Sequence, residues 1–261
     1  SILFSEMIAI WIISFWENLN CPKKFNLIEL GAGNGEMIKI LINTFQKFPQ
    51  FKDACRINIL EKSGLLKNLQ KKNIKNNDVN WLNDLKELNN FPSIFIANEF
   101  FDALPIKQFL KKEKQWFERY VQLNNKESTF LDIPFDMSKL EKEIQFKISY
   151  KQKFIEYSPL ARNYLNAITG IIKQNNGGIL IIDYGYFDKR MKNTLQAVHK
   201  HKFSNVLDVF GKADITYNLS FNLISQIISK LGSFRTLTIN QKQFLTKLGI
   251  LHRAEILTKN M

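Results

Sequence analysis

Cysteine, histidine and arginine are all scarce in this chain. Its 261 residues hold two Cys (Cys21, Cys55) and three His (His199, His201, His252). These form no C-x-x-C pair and no ligand spacing, so no metal site is expected. Two isolated cysteines fit a reducing compartment. Arginine supplies six of the 37 basic residues, and Lys the other 31. The net charge of +13 is therefore mostly lysine. The lysines are scattered (Lys23-Lys24, Lys71-Lys72, Lys111-Lys112, Lys151 and Lys153) rather than gathered into an Arg-rich stripe. That pattern argues against nucleic acid as a direct partner and leaves an acidic protein partner open. Long apolar runs are missing too. Met7 to Trp16 falls short of the roughly 20 residues that span a bilayer. No basic segment precedes it and no small-residue cleavage site follows, so a signal peptide is not expected. Collagen-like and coiled-coil compositions are excluded, and there is no internal repeat.

What is present is apolar. Hydrophobic residues make up 45% of the chain, enough for a sizeable core. The length suits one large α/β domain, or a domain with a small insertion. No flexible linker divides it, so one compact unit is expected. Phe4, Ile8, Trp11, Phe15 and Leu19 recur at helical spacing and predict a buried amphipathic helix.

Phe25 to Leu30 reads as a strand, Gly31 to Gly35 as a turn, and Met37 to Phe48 as a helix stopping before Pro49. Arg56 to Leu60 is a second strand, and Leu65 to Gln70 is helical. Ser93 to Ala97 and Ile179 to Ile182 are continuous apolar runs, the mark of strands buried on both faces. Strands alternating with helices imply a mostly parallel sheet with helices on both faces. Between the last two strands the pattern changes. Gln108 to Leu110 and Trp116 to Leu123 read as strands joined through a polar turn. Phe130 to Tyr150 is mixed, and Ile155 to Ile172 reads as a helix entered at Ser158-Pro159. Residues 107–172 are therefore read as an insertion over the sheet's C-terminal edge, within a main domain of residues 1–106 and 173–261. A helix over Phe221 to Leu231, closed by Gly232, and a strand pair at Phe234 to Ile239 and Ala254 to Leu257 complete the expectation.

Glu29-Leu30-Gly31-Ala32-Gly33-Asn34-Gly35 has the form E-L-G-x-G-x-G. Glycines there permit a tight turn and close approach of the backbone to a ligand, or simply pack a helix onto a strand. The spacing differs from G-x-G-x-x-G, and an acid stands two positions ahead of the first glycine. A pyrophosphate would be repelled by that acid, whereas a cation would be attracted. The arrangement fits the cofactor turn of methyltransferases, where such an acid faces the ammonium of the cofactor's amino-acid end. Glu61 ends the second strand, where doubly wound folds place an acid for ribose hydroxyls, somewhat further past Gly35 than the usual interval of about 20. Asp84 is a candidate for an adenine amino group, and Trp81 fits either a core position or an adenine stack.

Joined to Ala97-Asn98-Glu99-Phe100-Phe101-Asp102-Ala103-Leu104-Pro105, these residues resemble the MidA-like methyltransferases, the family of the mitochondrial complex I assembly arginine methyltransferase and its bacterial relatives. N-E-F-F-D-A-L-P is close to a family signature. Further matches follow in order: Gln108-Phe109, Trp116 with Glu118-Arg119, Glu156 with Ser158-Pro159, and Gly178 with Asp183-Tyr184-Gly185. Thr194-Leu195-Gln196-Ala197 with His201 comes next, then Gly211 with Ala213-Asp214 and Thr216. Phe244-Leu245, Leu248-Gly249-Ile250 and Arg253 complete the series. The sequence departs from the family where Phe210 replaces Pro and where Asn218-Leu219-Ser220-Phe221 replaces H-V-D-F. The family's N-terminal G-D-F-x-T-x-P-E-type segment has no counterpart here, and the chain opens at Ser1 rather than Met.

The resemblance implies a Rossmann-like class I methyltransferase fold with a cap region. It implies S-adenosyl-L-methionine at Glu29, Gly31, Gly33, Gly35, Glu61 and Asp84. The implied acceptor is a protein arginine on a respiratory complex I subunit, in bacterial cytoplasm or mitochondrial matrix. A guanidinium is permanently charged and suits bidentate carboxylates. Glu99 and Asp102 are therefore expected to hold its charge, with Asn98 aligning acceptor or methyl group; the alternative is that the carboxylates cap a helix after Pro105. Tyr184 reads as an acceptor stack or a core-edge residue, and His199 and His201 as exposed or satisfied side chains. Two other functions stay open: methyl transfer to RNA or a small molecule, and a non-catalytic assembly factor or chaperone that keeps the fold. The glycine spacing and Glu29 argue against a dehydrogenase.

Overall fold

The computed structural model describes residues 1–75, 78–124, 127–200, 202–208 and 211–259. In chain order the first elements are α1 (Ile2–Asn18), β1 (Phe25–Leu30), α2 (Glu36–Phe45), α3 (Pro49–Ala54), β2 (Cys55–Leu60), α4 (Gly64–Ile74), β3 (Val79–Leu82) and β4 (Ser93–Asn98). Next come β5 (Lys107–Lys112), β6 (Gln115–Asn124), β7 (Glu127–Pro134), α5 (Met137–Ile144), β8 (Phe154–Tyr157), α6 (Pro159–Asn175) and β9 (Gly177–Ile182). Five short strands follow: β10 (Gly185–Tyr186), β11 (Gln196–His199), β12 (Lys202–Ser204), β13 (Asp214–Thr216) and β14 (Leu219–Ser220). The described chain ends with α7 (Phe221–Leu231), α8 (Gln241–Lys247) and α9 (Ile250–Lys259).

Two compact units divide these elements, where the sequence predicted one. The first holds Ser1–Asn98, Ala167–Ile182 and Leu237–Met261; the second holds Glu99–Asn166 and Asp183–Thr236. Most of the expected insertion 107–172 falls in the second unit. That unit also takes residues 99–106 and 183–236, which the sequence reading assigned to the main domain. Residues 167–172 belong to the first unit.

In the first unit five parallel strands run in the order β3-β2-β1-β4-β9. Sequence order reverses between β1 and β4, the switch point at which open α/β sheets bind ligands beyond their C-terminal ends. The register brings Leu30 opposite both Leu60 and Ala97, so Gly31, Glu61 and the β4-terminal Asn98 lie at one end of the sheet. Alternate residues Phe25, Leu27, Ile57, Ile59, Ile94 and Ile96 share one core with α1, α2 and α3. Ile28, Leu30, Phe95 and Ala97, on the other face, are also buried. Burial of both faces explains the unbroken apolar runs. Helix α1 buries Ser5, Ile8, Ala9, Ile12 and Trp16, one position round from the expected stripe, whose Phe4, Trp11 and Phe15 are half-buried. No helix among the described residues is long and apolar enough to cross a membrane.

The second unit is mainly antiparallel. Its largest sheet runs β7-β6-β5-β8, with the hairpin β5–β6 as expected. Ile155 to Tyr157, expected as the start of a helix, belong instead to the strand β8. Pro159 disfavours helical backbone at Ser158, and the Ser158 hydroxyl accepts from Ala161 N–H at 3.1 Å, so α6 starts there and nowhere earlier.

The expected terminal strand pair is absent. Phe234 to Ile239 has no strand partner among the described residues, and Ala254 to Leu257 lies inside α9. Ile250, Ala254 and Leu257 have helical spacing, and Arg253 makes two 2.9 Å bonds to the Glu6 carboxylate on α1. The helix predicted over 37–48 ends at Phe45, and Pro49 opens a separate helix.

Gly177 fixes how closely β9 lies against β4. A Cβ there would sit 2.0 Å from the Ser93 carbonyl oxygen, and its φ is +136°. Gly177→Ala should therefore cost about 2–4 kcal/mol. Exposed Gly170, inside α6 with nothing within 4 Å of an added Cβ, should gain about 0.5–1 kcal/mol on the same change. Urea unfolding of both variants checks this, and a shift of the same sign in both would refute it.

Candidate functional site

The turn after β1 is built from left-handed glycines, with φ of +63° at Gly31, +54° at Gly33 and +81° at Gly35. Gly31 N–H donates to Leu60 O at 3.0 Å and Gly35 N–H to Ala32 O at 2.8 Å. The glycines divide the two roles considered for them. A Cβ on Gly35 would press on Ile74 and Gln70 at 3.1–3.3 Å, so Gly35 packs the turn against α4. A Cβ on Gly33 would meet nothing within 4 Å, so the backbone there faces open space.

Glu29 is buried on β1, and its Oε2 finds no hydrogen-bond partner among the described residues. Burial raises its carboxyl to about 8. A carboxylate without a partner beside an open glycine turn is a demand for a cation.

Glu61 is buried at the end of β2, with Oε1 accepting from Ser63 N–H at 2.9 Å and Oε2 from the Gln70 amide at 3.1 Å. The same amide donates to Gly33 O at 2.9 Å, and its oxygen accepts from the Trp81 indole N–H at 3.0 Å. Sequence reading passed over Gln70 because Lys71-Lys72-Asn73 follow it. Its place midway between Leu66 and Ile74 on one helical face was the available signal. Asp84 stands apart: it is exposed and caps a 3-10 turn, accepting from Lys86 N–H at 2.9 Å.

In the second unit, Glu99 is exposed with φ +47°, a left-handed conformation that a non-glycine residue adopts at some cost. Asp102 is buried. Its carboxyl is raised by that burial and by the Glu99 charge. No helix follows Pro105; β5 does, so neither acid caps one. Asp183 fixes the turn instead. Its Oδ2 accepts from Phe101 N–H at 3.0 Å and Asp102 N–H at 3.3 Å, and its Oδ1 from Tyr184 N–H at 2.9 Å. Burial and the Asp102 charge push Asp183 up to about 7. Glu99, Asp102 and Asp183 thus form a patch of negative charge whose two more buried members resist ionising together.

Other residues of the resemblance meet as scaffold. The buried Glu156 accepts from Gln108 Nε2 at 2.9 Å, from Thr194 N–H and Leu195 N–H at 3.0 Å each, and from the Thr194 hydroxyl. Tyr184 is 63% exposed, which removes the core-edge reading. The His199 ring pairs with Lys212 O at 2.7 Å. His201 and Phe210 lie outside the described residues.

A parallel sheet reversing beside a glycine turn, with one acid before the turn and another closing the next strand, is the Rossmann-like class of α/β fold. The match to the family described as "Putative S-adenosyl-L-methionine-dependent methyltransferase" runs over residues 7–239, and the chain belongs to that family. Among curated proteins it is 26% identical over 281 residues to the mitochondrial protein arginine methyltransferase NDUFAF7 of Xenopus laevis, covering 98% of this chain and 64% of that one. The Caenorhabditis elegans homolog of that enzyme is 28% identical over 281 residues, covering 96% and 64%. This chain thus spans a little under two thirds of those relatives. A crystal structure from Burkholderia thailandensis bound to S-adenosyl-homocysteine superposes with a TM-score of 0.80 at 21% identity, covering 97% of this chain and 66% of that one.

The raised Glu29 carboxyl sets a stability test. The folded chain holds this proton more tightly than the unfolded chain, whose ordinary value is 4.5. Its contribution is full below that value and is lost as pH rises through about 8. Melting curves of the ligand-free wild type and Glu29→Gln should differ least near pH 5 and most near pH 9, with the variant higher. Parallel curves across that range would contradict the assignment.

Proposed function

We propose that the chain is an S-adenosylmethionine-dependent methyltransferase whose acceptor is an arginine of a protein. The observation that carries the cofactor half is the unpartnered, buried Glu29 carboxylate beside the open Gly33 backbone. Glu29 would receive the ammonium of the cofactor's amino-acid end. Gly31, Gly33 and Gly35 would let the backbone approach it, and Glu61 would accept from the ribose hydroxyls. Asp84, with one oxygen engaged in its cap, would offer the other to the adenine amino group. When bound, the cofactor supplies an electrophilic methyl group on a sulfonium, and in-line displacement leaves the protein mainly alignment and electrostatics to provide.

The acceptor half rests on Asn98, Glu99 and Asp102. Glu99 and Asp102 would localise the guanidinium charge and orient the attacking nitrogen. Asp102 and Asp183 are raised mainly by burial and further by neighbouring carboxylates, and a permanent cation would relieve the second of these. Asn98, at the end of β4, would align acceptor or methyl group. Residues 107–172, most of which lie in the second unit, would shape the acceptor-binding region. The relatives' names supply the arginine and the mitochondrial setting. The signature resemblance supplies a respiratory complex I subunit as the substrate.

Calorimetric titration with S-adenosylmethionine, with Gly33→Arg as control, tests the cofactor half. Saturable binding by the wild type and none by a folded Gly33→Arg is expected. No binding by folded wild-type chain would reject it. Glu99→Gln should lower turnover on an arginine-bearing protein substrate by roughly a hundredfold or more while leaving cofactor affinity within about twofold. Equal loss of both would reject the acceptor role.

A further inference from the structure

Gln70 is fully buried near the C-terminal end of α4, and its one side-chain amide joins three separate segments of the chain. Its nitrogen donates to Gly33 O in the turn after β1 and to Glu61 Oε2 after β2. Its oxygen accepts from Trp81 Nε1 on β3. The orientation of this amide is not free. An indole N–H can only donate, so the oxygen must face Trp81 and the nitrogen must face the carbonyl and the carboxylate. Glu61 is then held from both sides, by Gln70 on Oε2 and by Ser63 N–H on Oε1. A carboxylate has about four acceptor directions, and two remain. Fixed in this orientation, they suit the paired hydroxyls of a vicinal diol.

We propose that Gln70 is a positioning residue for recognition of the cofactor's ribose diol; this rests on the cofactor reading above. Gln70 touches the ligand through Glu61 rather than directly. It ties the angle of the Glu61 carboxylate to the glycine turn, so that diol and methionine ends are presented in one register. Trp81 acts one step further out by fixing which end of the amide faces Glu61.

The test compares S-adenosylhomocysteine with its 2′,3′-dideoxy analogue by calorimetry on the full chain. Wild type should prefer the diol-bearing ligand by roughly tenfold or more, the range of hydrogen bonds to a charged group. Gln70→Met keeps the side-chain volume and removes the amide. It should weaken S-adenosylhomocysteine while leaving the analogue within about twofold, so the preference collapses towards one. Trp81→Phe should reduce the preference by an intermediate factor, and it keeps the question answerable if Gln70→Met does not fold. A general structural role, or adenine stacking by Trp81, would weaken both ligands alike and leave the ratio unchanged; that result overturns the proposal. No diol preference in the wild type overturns it too. Wild type that binds neither ligand overturns the cofactor reading itself, and this proposal with it.

Discussion

Glu29 carries a carboxyl group through a strand whose every residue is buried, and one of its oxygens has no partner among the described residues. Burying an unpaired charge is costly enough that the group gives up its charge instead, which is what a carboxyl raised to about 8 means. Its neighbours Ile28 and Leu30 are wholly enclosed, and Glu29 itself is almost entirely buried. The glycines give the chain room to turn directly after this position, Gly31 is tied to Leu60, and the strand order reverses between β1 and β4. A strand carrying Gln or Leu there would be easier to fold and would offer a cation nothing.

The second unit handles its acids differently. Glu156 is as buried as Glu29 yet is surrounded by donors from β5 and the loop before β11. Asp183 spends both oxygens on backbone N–H groups and thereby sets the shape of the turn that carries Glu99 and Asp102. Saturated carboxylates of this kind act as cross-links between distant segments. The contrast is one of satisfaction: Glu156 and Asp183 have their acceptors filled, and Glu29 Oε2 has no partner among the described residues.

Much of this was legible in the sequence. Four of the five strands of the parallel sheet were legible, β4 and β9 as continuous apolar runs, whereas β3, only four residues long, was not; E-L-G-x-G-x-G and N-E-F-F-D-A-L-P marked the ends of β1 and β4. What stayed hidden depended on partners far along the chain. Gln70 reads as one more polar helix residue until Gly33 and Trp81 are brought to it. Glu156 and Asp183 were matched by resemblance, but nothing local said which N–H groups they would hold. β8 merges into α6 in the sequence because four residues are too few to show a period, and only Ser158 separates them. The terminal strand pair failed because alternation in Phe234–Ile239 has no meaning without a neighbouring strand. Division into two units was invisible because the boundary crosses the chain at four places, none of them rich in glycine or proline.

The Glu6–Arg253 pair joins residues 247 positions apart. On a ribosome adding about 5–20 residues per second, α1 emerges on the order of ten to fifty seconds before its ionic partner. All of the second unit is made in that interval. The Glu6–Arg253 clasp of the parallel-sheet unit therefore closes only after the segment between its two halves has been synthesised.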